Sequence, residues 1–477
     1  MKTIKRLLKI ILTLLILIVL VLVVTIWIDS YKTNYLKINK NSIDSKDTYL
    51  ITNINVIPMH KDTILKNNMV LIKDGIINRI ADTIQIDNVE IIDGQNKFLT
   101  PGLIDMHVHI WDRYELGLYL SNGVTAVRNL WGMPMHLRIK KDANNGKIYA
   151  PIIITTGPKL TGPEFIGDDN LNLLNPEEAK EKIISYKERG YDLIKTYYGL
   201  DKEIFDAVIE QANKSDIDIV AHPSQKVPFS YHLNPQIKSI EHAEEIVQQA
   251  LKFDLDTLKL KTIIDTISQS KHTSYSPTLI VFKNIHNMML NDSILESEPV
   301  MYMNPLIKKV DSEMQFERWY DTKNNDSLAI NRIEEQHKFH LKIVESLHKA
   351  DVNIICGTDA GIGVTVPGFS IHNELQLYKE AGLSNYEVLR TATVNPSKTH
   401  SYFESLGTIE EGKVANLLVL DINPLEDLSA LSKPSTIFIK GKKLNRDKLN
   451  SFNLRAKNRK NLIVSAIRYV GNLIIEK

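Results

Sequence analysis

Between residues 100 and 400, short apolar runs return at intervals that few folds can accommodate. They lie at 103–106, 124–128, 152–156, 192–196, 217–221, 237–240, 275–279 and 352–356. Most are separated by stretches with helical periodicity, plainest at 177–189 and 202–212. Strands in such alternation pair in parallel, because each helix carries the chain back across the sheet before the next strand begins. Eight strand–helix units in about 260 residues predict a (β/α)8 TIM barrel, with its chemistry at the C-terminal ends of the strands. The stretch 283–332, between the seventh and eighth strands, is oversized for a connection and reads either as a lid or as a surface excursion.

The flanks have a different rhythm. Residues 48–98 hold short β-rich runs at 49–56, 69–73, 76–80 and 89–92, with Asp74-Gly75 as a hairpin signal. The pattern returns at 412–421 and 436–441, so the chain predicts an α/β protein whose small β-sandwich satellite is built from both flanks of the barrel.

At the N-terminus, Lys2, Lys5, Arg6 and Lys9 precede residues 10–28, which are apolar apart from Thr13 and Thr25. As a helix this run spans about 28 Å, enough to cross a bilayer core. The basic flank predicts a cytoplasmic N-terminus and an exported remainder, periplasmic or extracellular. Trp27-Ile28-Asp29-Ser30 offers no small-x-small cleavage site, which favours an uncleaved anchor over a cleaved signal peptide. The expected organisation is an anchor at 1–30, a polar linker at 31–47, the β-sandwich at 48–98 and 400–445, and the barrel at 99–399. A basic amphipathic helix at 446–477 would either dock on the body or rest on the membrane.

A net charge of +1, with no basic stripe, gives no argument for a nucleic-acid partner. The partners to expect are a small-molecule substrate and a membrane, with a homo-oligomer left open. The single cysteine, Cys356, excludes an internal disulfide and sits in an apolar run that reads as buried.

The ends of the predicted strands carry the candidate chemistry. In Pro101-Gly-Leu-Ile-Asp-Met-His-Val-His109, His107 and His109 are two apart on a strand and face the same way, about 7 Å apart at the backbone. Such a pair can converge on a divalent metal or be two hydrogen-bonded histidines. Lys195 ends the fourth strand, His222 the fifth and His242 the sixth, and Asp359 follows the eighth in Gly357-Thr-Asp-Ala-Gly361. Each alone reads as an ordinary polar residue. All six at barrel strand ends read as one centre.

These residues and spacings resemble the amidohydrolase superfamily, in its imidazolonepropionase-like and Xaa-Pro/Xaa-Arg dipeptidase branch. Gly123-Val-Thr-Ala-Val-Arg128, Ile240-Glu-His242, His372-Asn-Glu-Leu375, Ala392-Thr-Val-Asn-Pro396 and Gly407-Thr-Ile-Glu-Glu-Gly412 extend the resemblance from 48 to about 445. It implies a metal-dependent hydrolase of an amide or peptide C–N bond, such as that of a dipeptide or N-acyl amino acid. It also implies two divalent ions, zinc by ligand type, with His107, His109 and Asp359 on one and His222 and His242 on the other. Lys195, carboxylated by CO2, would bridge them as a carbamate. A metal-bridging hydroxide would attack the carbonyl, with Asp359 as proton shuttle. Arg128, Tyr197, Tyr231 and His372 are candidates for substrate contact.

Two departures bear on this. Asn416 stands where the family usually has Asp. After His222 the chain reads Pro223-Ser-Gln225, where many relatives carry a tyrosine that Tyr197, Tyr198 or Tyr231 would have to replace. Mononuclear deaminases share His-x-His and the last Asp but use a Glu at the position held here by Gln225, whose amide cannot donate and recover a proton. Lys195 would be idle in that site and in a mononuclear, imidazolonepropionase-like cyclic-amide hydrolase. A non-catalytic, membrane-tethered binding protein on the same barrel is the competing reading from another class.

The anchor reading makes a prediction of topology. Protease added to intact spheroplasts should digest the barrel, and digestion only after lysis would reverse the assignment.

Overall fold

The computed structural model describes residues 2–38, 48–164 and 170–476. Residues 39–47 of the expected linker lie outside that set. Strand Leu103–Val108 pairs in parallel with Val124–Asn129, which pairs with Ile152–Thr155. A bridge between Thr156 and Leu193 leads to Leu193–Thr196, and parallel ladders continue through Asp218–Ala221, Ile237–Glu241 and Ser274–Ser276. A bridge from Tyr275 to Ile354 and another from Ala360 to Val108 return the pairing to the first strand.

Two expected strands are shorter than their apolar runs. The seventh ends at Ser276, because helix Leu279–Leu290 begins within the run. The Glu374 carboxylate accepts from the Leu279 and Ile280 amides at 2.9 and 2.7 Å, which satisfies first-turn donors that have no partner within the helix. The run at 352–356 contributes the single bridge at Ile354 rather than a ladder. Its amides and carbonyls are still engaged on both sides: Ile355 N donates to Tyr275 O at 2.9 Å, and Met106 N donates to Cys356 O at 2.8 Å.

The flanking β segments form one hydrogen-bonded sheet of eight strands that folds over on itself, with the Tyr49 ring 5.6 Å from that of Phe438 three strands away. Its order is Lys442–Asn445, Thr436–Ile439, Leu417–Leu420, Phe98–Pro101, Thr48–Val56, Leu65–Lys73 and Ile76–Ala81. The first half of Thr48–Val56 pairs with Glu90–Asp93 and its end pairs with Phe98–Pro101. One long strand thus joins what would otherwise be two sheets. Ile51, Ile54, Val70, Ile72, Leu417 and Phe438 pack into its core.

Helix Lys2–Lys32 is long and apolar enough to cross a membrane, with a mean hydropathy of 3.4 over its most apolar 18 residues, and that stretch is not covered by the rest of the chain. The residues after it do not form the free tether expected from their polarity. Leu36 is fully buried, Tyr149 N donates to Leu36 O at 2.7 Å, and Lys37 bridges Ile148. Three apolar side chains in that polar stretch, Tyr31, Tyr35 and Leu36, were the available signal, and the last two pack on the body.

The expected single C-terminal helix is two, Arg446–Lys457 and Leu462–Glu476. The break has an electrostatic cause. Asp112 is buried and accepts from Arg459 at 3.0 Å, from Asn461 at 2.8 Å and from Asn304 at 2.7 Å. Arg459 also donates to Tyr302 O at 2.8 Å. Drawing residues 459 and 461 inward to one carboxylate is incompatible with a continuous surface helix. It also ties the 283–332 excursion and the C-terminal segment to the loop after strand Leu103–Val108.

A second buried network runs across the parallel strands. Arg128, wholly buried, donates to Met106 O at 2.6 Å, Ser239 Oγ at 2.9 Å, Glu241 Oε1 at 2.8 Å and His400 Nε2 at 3.1 Å. His400 Nδ1 in turn donates to Asp218 Oδ2 at 2.8 Å. Removing one partner from a buried ion pair strands the other charge and costs about 3–5 kcal/mol. Arg128→Met should therefore lose about that much stability in guanidinium denaturation, and adding Glu241→Gln should recover part of it. A loss below about 1 kcal/mol would contradict the role given to this network.

Candidate metal centre

The first strand delivers His107 at its penultimate position and His109 just beyond its end. His107 is fixed from behind, because its Nδ1 donates to Glu241 Oε2 at 2.9 Å, and Glu241 is held by Arg128. This leaves His107 Nε2 as the atom with a free lone pair facing the strand ends. Asp359 Oδ1 lies 3.2 Å from that Nε2 and 2.7 Å from His109 Nε2. Neither approach has hydrogen-bond geometry, and Asp359 Oδ1 is buried without a hydrogen-bond partner among the described residues. The two nitrogens and the oxygen are therefore close without aiming at one another, as lone pairs do around a common point.

The backbone holds these groups under strain. Asp359 has φ 59° and His242 φ 72°, in the left-handed region that non-glycine residues enter at a cost on the order of 1 kcal/mol. Next to Asp359, Gly357 leaves no room for a side chain, since a Cβ there would lie 2.8 Å from His107 Cβ and 2.4 Å from Ser276 Oγ. Behind them Thr358 donates from its hydroxyl to Asp105 Oδ2 at 2.7 Å, which pins the turn to the first strand.

The sixth strand ends in His242, whose ring centroid is 4.9 Å from that of His107 and 4.7 Å from that of His222. His242 Nδ1 is 2.7 Å from Thr278 Oγ1, so its Nε2 is the nitrogen left for a ligand. Donor atoms of His107, His242 and Asp359 all lie within 4.8 Å of one another. His222 stacks on Tyr197 at 4.3 Å between centroids. Its Nε2 is 3.3 Å from Glu245 Oε1, but neither ring nitrogen makes a hydrogen bond among the described residues. The same holds for Lys195 Nζ, which is buried. Buried polar atoms left without partners are costly, and a bound ion is the common resolution.

Burial governs the protonation of this cluster. It pushes the Lys195 amine down to about 8, partly offset by Glu241 and Asp359. It pushes His242 down to about 3 and His222 well below the ordinary imidazole range. Burial opposes ionisation of Asp359 too, but His107 and His109 outweigh it and hold the carboxyl well below the usual range. His222 and His242 are thus neutral, the lysine is close to deprotonation and the Asp359 carboxylate is charged, as metal ligation requires of such groups.

His107, His109, Lys195, His242 and Asp359, together with Tyr197, line one cavity of about 540 Å3. His222 stands directly behind Tyr197. The other three candidates for substrate contact lie elsewhere. Arg128 is spent on the buried network. Tyr231 donates its hydroxyl to Asp206 Oδ1 at 2.5 Å, where Lys202 also binds. His372 Nε2 donates to Asn122 O at 3.0 Å and faces a different cavity. Gln225 accepts from Gly199 N at 3.1 Å and serves the loop rather than the centre.

Several residues were not singled out from the sequence. Glu245 accepts from Tyr198 at 2.8 Å and is pushed up to about 7, chiefly by burial. Its position four residues beyond Glu241 was the only signal available. Lys159 reaches the cavity from an added strand, Lys159–Thr161, that pairs with Asn170–Asn172 and touches Thr196. Leu306 to Gln315 from the excursion, and Ala466, Tyr469 and Val470 from the last helix, form the outer wall. The excursion therefore covers the centre.

The fold is similar to that of known proteins. Ochratoxinase of Aspergillus niger is 22% identical over 442 residues, covering 78% of this chain and 81% of that protein. A bottromycin amidohydrolase structure superposes with a TM-score of 0.73 at 19% identity, covering 90% of this chain and 95% of the other. An Xaa-Pro dipeptidase with methionine bound in its active site gives 0.62 at 18% identity, with 83% and 100% covered. The sequence pattern of the amidohydrolase family itself matches residues 198–444, more than half of the chain. The chain belongs to the amidohydrolase family, a family of hydrolases acting on C–N bonds.

Proposed function

We propose that the eight parallel segments close as a (β/α)8 barrel and that the centre at its strand ends is binuclear and hydrolyses an amide or peptide bond. The observation that carries the reading is the convergence of His107, His242 and Asp359 donor atoms within 4.8 Å of one another, beside Lys195 Nζ, the His222 nitrogens and Asp359 Oδ1, which are buried and make no hydrogen bond among the described residues. His107, His109 and Asp359 would hold one ion, His222 and His242 the other, and the carbamate of Lys195 would join them. Zinc fits the nitrogen and oxygen donors. Such a pair, when bound, lowers the pKa of water toward about 7 and polarises the substrate carbonyl.

The chain's own residues prepare the rest. An amine reacts with CO2 only when neutral, and burial brings Lys195 toward that form at physiological pH. Carboxylation turns an ammonium, which would repel cations, into an anion with two oxygens to share. Asp359 is held ionised, so it can accept a proton from water and pass it to the leaving nitrogen. Tyr197 and Tyr198 flank His222 and stand nearest to where a carbonyl would be polarised. The apolar wall of the cavity suits an amide with a hydrophobic substituent, as in a dipeptide or an N-acyl amino acid. The helix over residues 10–28 would anchor this centre on the outer face of a cytoplasmic membrane.

Lys195 provides the test. Lys195→Ala should lower bound zinc from two toward one per chain and reduce dipeptide or N-acyl amino acid turnover by several orders of magnitude. Lys195→Arg should fail as well, since a guanidinium stays charged and cannot take up CO2. Two ions and near-normal activity in Lys195→Ala would overturn the binuclear assignment.

A further inference from the structure

The C-terminal helix Leu462–Glu476 is built into the wall of the active-site cavity, and hydrolysis of an amide does not by itself require it. Tyr469 extends an aromatic wall that starts at the centre: His109 to Trp131 is 6.4 Å between centroids, Trp131 to Trp111 3.9 Å and Trp111 to Tyr469 5.7 Å. Leu306, Ile307, Val310 and Met314 continue the lining in apolar residues. At the opening, Val310, Met314 and Val470 are 53%, 59% and 52% exposed. A polar floor thus opens through an apolar throat onto an apolar rim.

The rim continues outward. Ile463, Ile467, Val470 and Ile474 are spaced by four, three and four residues and share one face of the helix. Ile463 and Ile474 are 67% and 75% exposed. Arg468 on the same helix pairs with Asp29 at 2.6 Å, which fastens it to the end of the apolar N-terminal helix. Between the two helices lies a second cavity of about 550 Å3, which shares Trp111 with the first and is lined by Ile26, Ile467 and Ile475 together with Lys37, Arg138 and Arg468. Trp27, Ile28 and Tyr31 are exposed beside it. The cavity mouth and the helix stripe thus expose apolar side chains side by side, and the ion pair of Arg468 with Asp29 brings them next to the root of the N-terminal helix.

We propose that the substrate is an amide with an alkyl acyl chain, the chain lying along Met314 and Val470 toward the root of the N-terminal helix and the carbonyl reaching the histidine and aspartate floor. The proposal rests on the amide-hydrolase reading above and adds the chemical class of the acyl group. Water adds across the C–N bond: the acyl carbon takes the hydroxyl and leaves as a fatty carboxylate, and the nitrogen takes the proton and leaves as an amine.

The test uses the full chain, zinc-loaded, in lipid nanodiscs, with empty nanodiscs as the blank. Acetyl, butyryl, hexanoyl and octanoyl derivatives of the amino acid released fastest in a dipeptide screen are compared by kcat/KM. Binding of acetate, butyrate, hexanoate and octanoate is measured by calorimetry. Both should rise with length, by up to about fourfold per methylene, the limit for complete burial. Val470→Asp and Met314→Asp should flatten both series. Equal turnover of acetyl and octanoyl amides, with octanoate bound no better than acetate, overturns the inference and leaves amide hydrolysis standing. Length-dependent carboxylate binding without hydrolysis of any amide sinks the amide reading and leaves the chain site standing.

Discussion

Five of the candidate ligands share one cavity with too few hydrogen-bond donors and acceptors among them to satisfy one another, and the sixth, His222, lies behind its wall. His107 spends one nitrogen on Glu241, His242 spends one on Thr278, and Lys195 and His222 spend none. A buried amine or imidazole without a partner costs free energy unless something else answers it. Apolar replacements would make a more stable barrel. Behind His107 and Asp359 stand residues whose own interactions are made: Glu241 is held by Arg128 and Ser239, and Asp105 by Thr358. The fold is satisfied one layer out so that the centre can remain unsatisfied. Loss of Arg128 would therefore act on chemistry through His107 as well as on stability.

Asp112 does for the roof what Glu241 does for the floor. It stands three residues beyond His109 and draws together Asn304 of the excursion and Arg459 and Asn461 of the C-terminal segment. Segments more than a hundred residues apart are thereby packed over the same cavity. Toward the cavity the roof presents Leu306, Ile307, Val310 and Met314 beside the polar Asp311 and Gln315, and Val310, Met314 and Val470 are also exposed outward. Through Asp29 and Arg468 it is coupled to the one helix among the described residues that could cross a bilayer.

Much of the floor was legible in the sequence because its residues sit at fixed offsets from apolar runs. His107, His109, Lys195, His222 and His242 each follow a run of β-forming residues, and glycines flank Asp359. The boundaries of strands seven and eight were not legible, since the run 275–279 is as compatible with a helix start as with a strand until Glu374, far along the chain, supplies the cap. Tyr231 and His372 were indistinguishable from pocket residues by type, and only their partners Asp206 and Asn122 remove them. The roof was least legible. Nothing in the local pattern of residues 459–461 announces a break, because its cause is the charge at Asp112. Likewise the apolar face of the last helix suits a docked helix and a membrane helix equally until its neighbours are known.

The account stands or falls on what occupies the space between Lys195 and the histidines. X-ray diffraction at the zinc absorption edge, on crystals grown with zinc and bicarbonate, measures this directly. Two anomalous peaks about 3.5–4 Å apart, with continuous density from Lys195 Nζ to a planar group between them, are the predicted result. A single peak bounded by His107, His109 and Asp359, with Lys195 ending in a bare amine, would contradict it.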